Sequence, residues 1–437
     1  MASVVRRTSR SYVRPSAATP SGTLELSIID RDVGLRHLVR SLHVFRPRPH
    51  HAGGEEEHEH QRSPARVIRE ALGKALVDYY PFAGRLADGA GGPATARVEC
   101  TGEGAWFVEA VAACTLDDVA CLDRHPLAIP AEDLLPDAAP GGGVNPLDIP
   151  LMMQVTEFAC GGFVLGLSSS HTLTDGLGAG QFINAVADYA RGLPKPRVTP
   201  IWARGHLIPS PRNKLHLLEP PPERPPFQFR YLTVDLSLDG INRIKSRFHA
   251  ATGQRCSTFD VAVAKVWQAR TRSLRLLHPS APVTLGFFAN ARHLLPCDGV
   301  VGFYGNCFYP ATITVEAGAV ERADVAGVVG MVRDAKARLA AEFARWAAGE
   351  GEEEEPYALW LRPEPLFVSD WRRLGLQEAD YGWGTPMHVS PLATLPFMPV
   401  ALLVAPPAPR TGVRITTQCV EEEHMPAFRE EMKAFED

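Results

Sequence analysis

Apolar and polar positions along this chain alternate between helical and strand periods in both halves. Ser63 and Pro64 predict the N-cap and the first turn of a helix. The apolar face of that helix would consist of Ile68, Leu72, Ala75, Leu76 and Tyr79. Ser257, with Asp260 three residues later, predicts a second helix through a capping-box pattern. A long helix is expected from about Val325 to Trp346.

Strands are predicted where short apolar runs are bounded by turn residues. The clearest are FRYLTVDL from Phe229, VTLGFFANAR from Val283, VALLVA from Val400 and VRITTQCV from Val413. Because helices and strands are mixed throughout, the fold class expected is α/β, with layers built on large mixed sheets.

A histidine stands where a predicted buried strand gives way to a predicted helix. The run GGFVLGLSSS precedes His171, and Phe182 and Val186 lie on the apolar face of the helix that follows. That helix is expected to stop at Gly192, before the first proline of the next segment. His171 would therefore lie at a strand end, followed by a turn over residues 172–176.

Length and proline content predict the domain organisation. A chain of 437 residues exceeds the usual limit of a single core, so two domains of roughly 200 residues are expected. Prolines are too dense between Leu193 and Pro226 for a helix or a central strand, which predicts an extended crossover. The expected boundaries are 1–192, 193–226 and 227–437. Acidic runs at Gly53 and Gly349 are expected to be solvated loop insertions.

Composition and charge exclude several classes of protein. Hydrophobic residues make up 45% and charged residues 22% of the chain, which is typical of a globular protein. A formal net charge of −5 argues against wholesale binding to nucleic acid or an anionic membrane. No uncharged apolar run reaches the roughly 18 residues of a membrane span. Eight cysteines without a C-x-x-C pair indicate reduced thiols and a cytoplasmic protein, although the Arg- and Ser-rich N-terminus also has the composition of a transit peptide.

His171 precedes Asp175-Gly176 by four residues, a spacing that fits more than one role. The unperturbed pKa of histidine, about 6.5, suits a general base near pH 7. No Cys or His lies at the spacing typical of zinc ligands, so no metal site is expected. GLSSS also lacks the G-x-S-x-G pattern of a serine hydrolase. The remaining alternative is an ordinary buried histidine beside a turn, which the Asp175 carboxylate would fix through the backbone or an arginine.

A second stretch, ADYGWGTP at 379–386, adds to the interpretation of the first. HTLTDG at 171–176 and DYGWG at 380–384 together resemble the paired HxxxDG and DFGWG signatures of the plant BAHD acyltransferases, with Tyr381 in place of the family's phenylalanine. YYPFAGRL, ANAR, GFYGNCFYP and CVEEE are similar to other landmarks of that family, so the resemblance extends almost end to end. Within the family, the chain is most similar to the p-coumaroyl-CoA:monolignol transferases of grasses.

The resemblance implies two similar chloramphenicol-acetyltransferase-like domains with large mixed sheets, a long crossover and an active site at the domain interface. It implies that His171 deprotonates a hydroxyl group that attacks an acyl-CoA thioester. The implied reaction transfers a p-coumaroyl group from p-coumaroyl-CoA to coniferyl, sinapyl or p-coumaryl alcohol. Acyl-CoA would be a co-substrate and not a permanently bound cofactor. The enzyme is expected to be a cytoplasmic monomer without nucleic-acid or membrane partners.

The resemblance and the chemistry of the side chains also predict roles for other residues of the two motifs. Trp383, whose indole N–H can only donate, is a candidate oxyanion donor or, alternatively, a packing residue. The resemblance implies that Asp175 pairs with Arg292 and holds the His171 turn. Asp380 is expected to fix its loop through backbone hydrogen bonds. The glycines that complete the structural motifs are Gly176, Gly382 and Gly384.

The substrate-binding candidates are less specific. The helix start at Arg255, Ser257 and Thr258 would suit the phosphates of CoA, or is an ordinary capped helix with a surface arginine. An apolar acyl and acceptor pocket would use aromatic side chains, each of which is alternatively a core residue. These candidates are Phe287, Phe303, Tyr304 and Phe397.

Several alternatives fit the same motifs. A feruloyl- or benzoyl-CoA alcohol acyltransferase, or a hydroxycinnamoyl-CoA amine N-acyltransferase, would differ only in its pocket. A carrier-dependent condensation domain has HHxxxDG, and Ser170 replaces its first histidine here. Intact His171 and Trp383 argue against a non-catalytic acyl-CoA-binding protein. No nucleophile elbow presents a serine of 168–170, so direct transfer in a ternary complex is expected.

Overall fold

The structure is a computed structural model that describes residues 4–48, 63–89, 92–139, 145–204, 228–295, 301–350, 356–357, 365–392 and 398–433. Phe397, most of both acidic runs and most of the proline-rich crossover lie outside the described residues. The chain divides into two compact units. The first comprises Met1–Ile208, Pro296–Asn306 and Arg373–Leu392, and the second comprises Pro209–Leu295, Cys307–Arg372 and Ala393–Asp437.

The described residues alternate between strands and helices, as the sequence pattern predicts. In chain order the strands are β1 (Val5–Val13), β2 (Gly22–Glu25), β3 (Leu38–Phe45), β4 (Arg85–Gly89), β5 (Gly92–Cys100), β6 (Ala105–Ala112), β7 (Leu151–Phe158), β8 (Phe163–Ser170), β9 (Tyr231–Ser237), β10 (Pro282–Asn290), β11 (Phe308–Glu316), β12 (Leu366–Asp370), β13 (His388–Pro391), β14 (Val400–Val404) and β15 (Gly412–Gln418). The α-helices are α1 (Pro64–Asp78), α2 (Ala131–Leu134), α3 (Gly176–Ala190), α4 (Leu238–Thr252), α5 (Thr258–Leu274), α6 (Ala317–Arg322), α7 (Val325–Ala347) and α8 (Met425–Lys433).

The first unit is built on a six-stranded mixed sheet in the order β1-β6-β7-β8-β3-β13. Neighbouring strands are antiparallel except β6 and β7, which are parallel. The remaining strands of the first unit form a separate, small antiparallel sheet in the order β2-β5-β4. Every residue of β8 is buried, so His171 follows a strand whose position is fixed on both sides and on both faces.

Helix α1 forms where the sequence pattern predicts it. Ser63 is the N-cap, its side chain accepts the backbone N–H of Arg66, and Pro64 occupies the first turn. The predicted apolar face is fully buried and consists of Ile68, Leu72, Ala75, Leu76 and Tyr79. The cap and the buried face therefore both match the helix that the sequence predicts.

Helix α3 lies close to the backbones of two late segments of the first unit, and a glycine stands at each contact. A Cβ atom on Gly178 would lie 2.0 Å from the carbonyl oxygen of Tyr304, and one on Gly180 would lie 1.6 Å from that of Leu374. Strand β13 also pairs with β3. The segment with DYGWG therefore lies in the first unit, whereas the sequence prediction assigned it to a continuous C-terminal domain over 227–437. Backbone contacts of this kind have no signature in side-chain periodicity.

The second unit has its own six-stranded mixed sheet, in the order β11-β10-β12-β14-β15-β9. Helix α5 is the most buried helix of this unit and begins with the predicted capping box of Ser257 and Asp260. The long helix predicted to span about Val325 to Trp346 is α7, which ends one residue later. With two large mixed sheets, the α/β fold class is confirmed.

The described residues also bear on membranes, thiols and metals. Among the helices that the structure describes, none combines the length and the apolar character that a membrane crossing requires. The described cysteines are free thiols. Within the described ranges, no three His, Cys, Asp or Glu side chains are grouped as metal ligands.

Candidate active site

His171 lies immediately after β8, at the start of the turn that leads into α3. Ser170 pairs with Leu38 of β3, and the backbone N–H of His171 donates to the carbonyl oxygen of His37 at 3.0 Å. The side chain of His171 is half-buried. The prediction of a histidine at a strand end is confirmed, and the sheet fixes its backbone.

An asparagine from a much later segment of the same unit holds the imidazole of His171. Nδ1 of His171 lies 3.1 Å from Oδ1 of Asn306. Nδ2 of Asn306 donates to the carbonyl oxygen of His171 at 2.8 Å and to Oδ1 of Asp30 at 2.8 Å. Asp30 and Arg204 form an ion pair, with 3.4 Å between Oδ2 and Nε, and both side chains are fully buried. A connected polar network therefore ends on the predicted catalytic ring.

A second histidine lies beside the first. The ring centroids of His37 and His171 are 5.3 Å apart with an interplanar angle of 56°. Nδ1 of His37 donates to the carbonyl oxygen of Gly34 at 2.8 Å, because a carbonyl can only accept. Neutral His37 consequently carries its lone pair on Nε2.

Both imidazoles are neutral near pH 7. Burial lowers the pKa of His171 below its usual range, and the effects of its backbone hydrogen bond, Asp175, Asn306 and Asp30 oppose that shift without cancelling it. Burial, followed by the proximity of His171, lowers the pKa of His37 to about 3. A neutral His171 can accept a proton, which is the state that a general base requires.

Asp175 is the N-cap of α3. Its Oδ1 accepts the backbone N–H of Gly178 at 3.0 Å. This bond satisfies one of the free N–H groups at the helix start and fixes the turn that follows His171. Arg292 belongs to the second unit, and its predicted pairing with Asp175 stays a prediction.

Asp380 organises the DYGWG loop through its side chain. Its Oδ1 accepts the backbone N–H of Gly382 at 2.7 Å and that of Gly384 at 2.9 Å. The two glycines have φ angles of 99° and 83°, in the left-handed region that other residues rarely adopt. The loop thus needs the aspartate as an acceptor and the glycines for their backbone conformation.

Trp383 packs at the opposite end of β8 from His171. Its ring lies edge-on to Phe163 with 5.6 Å between centroids, and the Arg48 guanidinium lies 4.0 Å from the ring centre. Phe163 begins β8 and His171 follows its end, so about 25 Å separates their backbones at ~3.3 Å per residue. An oxyanion donor must come within about 3 Å of the reacting oxygen. The position of Trp383 therefore does not fit that predicted role, and the structure gives it a packing role.

The candidate CoA-phosphate residues lie at the start of α5 in the second unit. Ser257 and Asp260 cap each other, at 3.1 and 2.7 Å. Thr258 accepts a hydrogen bond from Lys245 at 2.8 Å, and Arg255 is exposed. Two further cations contact this helix start: Arg333 donates to the carbonyl oxygen of Arg255, and Lys336 lies 2.8 Å from Asp260.

The three aromatic pocket candidates that the structure describes are buried core residues. Phe303 and Tyr304 are each 2% exposed in the first unit, where Tyr304 packs against Tyr79 and Phe82. Phe287 is 2% exposed in the core of the second unit. This burial fits the alternative interpretation of these three side chains as core residues, and a pocket role for them stays a prediction. Phe397 lies outside the described residues.

Sequence reasoning did not single out Asp30, His37 or Arg204, and it treated Asn306 only as part of the landmark GFYGNCFYP. Each of these residues is isolated in the sequence, with no partner at a regular spacing. One signal was available, because a polar asparagine within an apolar run needs a hydrogen-bond partner if it is buried.

Comparisons with known proteins match this chain over its whole length. A family model described as "Transferase family" matches residues 3–435. Acyl transferase 4 of Oryza sativa subsp. japonica is 65% identical, with 100% of both chains covered. The myricetin 3-O-glucosyl 1,2-rhamnoside 6'-O-caffeoyltransferase AT2 of Crocosmia x crocosmiiflora is 39% identical, again with 100% of both chains covered. The crystal structure of vinorine synthase shares the fold, with a TM-score of 0.73 and 22% identity over 99% of this chain and 98% of that chain.

Proposed function

This chain belongs to the BAHD acyltransferases, the Transferase family of the matching model, and from that membership we propose that it transfers a p-coumaroyl group from p-coumaroyl-CoA to the hydroxyl of a monolignol. The enzyme is an acyl-CoA-dependent acyltransferase, and acyl-CoA is its co-substrate. The caffeoyltransferase relative supports an aromatic donor, because caffeoyl and p-coumaroyl groups differ by one ring hydroxyl. The name of that relative also specifies an O-acyl product, which supports an ester over an amide.

The observation that carries the mechanism is a neutral, half-buried His171 held at the end of a fully buried strand. Its Nε2 removes the proton of the acceptor hydroxyl as the hydroxyl oxygen attacks the thioester carbonyl carbon. When the C–S bond breaks, the imidazolium returns the proton to the departing thiolate, so that free CoA leaves and His171 is neutral again. An alcohol is too weak an acid to ionise at neutral pH, so deprotonation must accompany the attack.

The start of α5 is the proposed site of the CoA phosphates. Lys245, Arg255 and Arg333 bring positive charge to the end of a helix whose first N–H groups also favour anions. Arg255→Ala should raise the KM for acyl-CoA several-fold and leave the acceptor KM unchanged. An unchanged acyl-CoA KM would remove Arg255 from this site.

Direct transfer in a ternary complex is proposed because the serines next to His171 are poor nucleophiles. Ser168, Ser169 and Ser170 are 3%, 5% and 2% exposed within β8, and no strand-to-helix elbow presents any of them. Mixing the enzyme with acyl-CoA alone should release no stoichiometric burst of CoA. A burst accompanied by an acylated serine or cysteine in the mass spectrum would instead establish a covalent route.

A substrate panel tests the proposed reaction. Purified enzyme is supplied with p-coumaroyl-, feruloyl-, benzoyl- or acetyl-CoA, each crossed with the three monolignols and with aromatic and aliphatic amines. The highest kcat/KM is expected for p-coumaroyl-CoA with a monolignol, and His171→Gln serves as the inactive control. A preference for another acyl donor, for an aliphatic alcohol or for an amine would overturn the substrate assignment and leave the acyltransferase class in place.

A further inference from the structure

Asp30 is a buried carboxylate whose two oxygens are occupied by donors. Oδ1 accepts the backbone N–H of Asn306 at 3.1 Å and its side-chain Nδ2 at 2.8 Å. Oδ2 accepts the backbone N–H and the hydroxyl of Ser27 at 2.9 and 2.7 Å. Arg204 lies on the same side as Oδ2 and compensates the charge of the carboxylate. A carboxylate held in this way acts as an acceptor.

This carboxylate is one of two acceptors that determine which way the Asn306 amide points. The amide end that faces Asp30 must be the NH2 group, because only that end can donate. The same NH2 group donates to the carbonyl oxygen of His171, which also can only accept. Two independent acceptors therefore give one orientation, and they leave Oδ1 of Asn306 facing Nδ1 of His171 at 3.1 Å.

The orientation of Asn306 in turn selects the tautomer of His171. An amide oxygen can only accept, so Nδ1 of His171 must carry the hydrogen and Nε2 must carry the lone pair. We propose that Asp30 and Asn306 are positioning residues that keep His171 in the Nδ1–H tautomer, with Nε2 free to take a proton. Neither side chain reaches the reacting atoms in this scheme. The inference concerns the resting protein, and its catalytic consequence rests on the proposed function.

The Asp30→Asn variant removes one of the two acceptors that fix this orientation, with little change in shape. An asparagine at position 30 can donate as well as accept, so a fraction of the molecules can rotate the Asn306 amide and turn its NH2 group toward Nδ1 of His171. The carbonyl oxygen of His171 still favours the original orientation in the others. In that fraction the hydrogen of the imidazole moves to Nε2, and that atom can no longer act as the base. We expect kcat to fall several-fold, because a histidine in the wrong tautomer is inactive as a base, while both KM values stay within about twofold.

The tautomer can be measured without turnover. Protein labelled with 15N-histidine should show one His171 signal pattern, assigned by its loss in His171→Gln, with a protonated Nδ1 and an unprotonated Nε2 above the pKa of the ring. Asp30→Asn and Asn306→Ala should add the Nε2–H form. Asn184→Ala is the matched control, since Asn184 also donates to two backbone carbonyls, at 2.8 and 2.7 Å, but these belong to Gly180 and Gly375 and not to His171.

The outcomes separate this inference from the proposed function. An Nε2–H tautomer in the wild-type protein would overturn the inference, even if no variant folds. An unchanged tautomer in a folded Asp30→Asn protein would also overturn the role of Asp30. If the tautomers behave as expected but His171→Gln retains full turnover, the proposed function fails and the positioning of the ring stands.

Discussion

Tyr381 and Tyr357 are buried tyrosines whose hydroxyl groups differ in their partners. Tyr381 packs against Phe45, and its Oη has no hydrogen-bond partner among the described residues. Tyr357 donates from its Oη to the carbonyl oxygen of Phe308 at 2.5 Å. An unpaired buried hydroxyl costs stability, whereas a paired one contributes to it. The family pattern has phenylalanine where this chain has Tyr381.

Tyr381→Phe is therefore expected to raise the free energy of unfolding by about 1 kcal/mol, and Tyr357→Phe is expected to lower it by about the same amount. Denaturant melts of both variants beside the wild type measure the two changes. Destabilisation by Tyr381→Phe would mean that its hydroxyl has a partner after all.

The sequence identified those site residues that belong to motifs and missed those that complete the network. His171 and Asp380 are recognisable because each precedes glycines at a fixed spacing. Asp30 and Asn306 are 276 residues apart, and only the folded chain brings them together. Trp383 was predicted to be an oxyanion donor because its indole N–H group can donate a hydrogen bond. The spacing of the two motifs in the sequence does not indicate how far Trp383 lies from His171.

At the scale of single elements, the glycines of α3 let its first turns pack directly against the backbone of neighbouring segments. Gly178→Ala would force a Cβ atom onto the backbone of Tyr304, two residues before Asn306. The variant should lose about 1–3 kcal/mol of stability and also lose turnover, because Asn306 would be displaced.

Gly330→Ala in α7 is the control, since no atom lies within 4 Å of its added Cβ. It should gain roughly 0.5–1 kcal/mol. Equal effects of the two substitutions in thermal melts would contradict the close contact at Gly178.

Helices were easier to predict than the strand that completes the sheet. Ser63 and Ser257 are local capping signals, and both helices begin there. Strand β13 has four residues and ends in a proline, so it has no clear alternation of its own. Its place in the sheet comes from pairing with β3, which is a long-range contact that periodicity cannot show.

At the scale of the whole molecule, histidines that stay neutral in the folded protein make the fold sensitive to acid. Burial lowers the pKa of His37 and of His43 from 6.5 to about 3, with smaller effects from His171 and His388 respectively. Between pH 6.5 and 3 the unfolded chain binds these protons and the folded chain does not, so stability falls as the pH falls. The expected loss is on the order of 1 kcal/mol per pH unit for each histidine.

Denaturant melts at pH 7, 6 and 5 measure this loss. Glutamine cannot titrate, so in His43→Gln the free energy of unfolding should change less steeply with pH. The difference in slope should equal the contribution of one histidine. A free energy of unfolding that stays constant from pH 7 to 5 would contradict the neutral burial of these side chains.

The organisation of the molecule departs from the order of the sequence. Five of the six strands of the first large sheet precede the proline-rich segment, and all six strands of the second follow it, so β13 alone among these strands crosses that division. Residues 296–306 and 373–392 nevertheless belong to the first unit. They carry Asn306 and the DYGWG loop, so the candidate site depends on segments that a linear division assigns elsewhere.

The central claim is that neutral His171 is the base in acyl transfer, and the most direct test is the turnover of His171→Ala. CoA release with p-coumaroyl-CoA and coniferyl alcohol is measured at pH 7 for wild type and variant, after melts confirm that both are folded. The half-buried ring can be removed without emptying a core, so the fold should persist while the rate falls about a hundredfold or more. A folded variant that releases CoA at a rate within a few-fold of wild type would contradict the account.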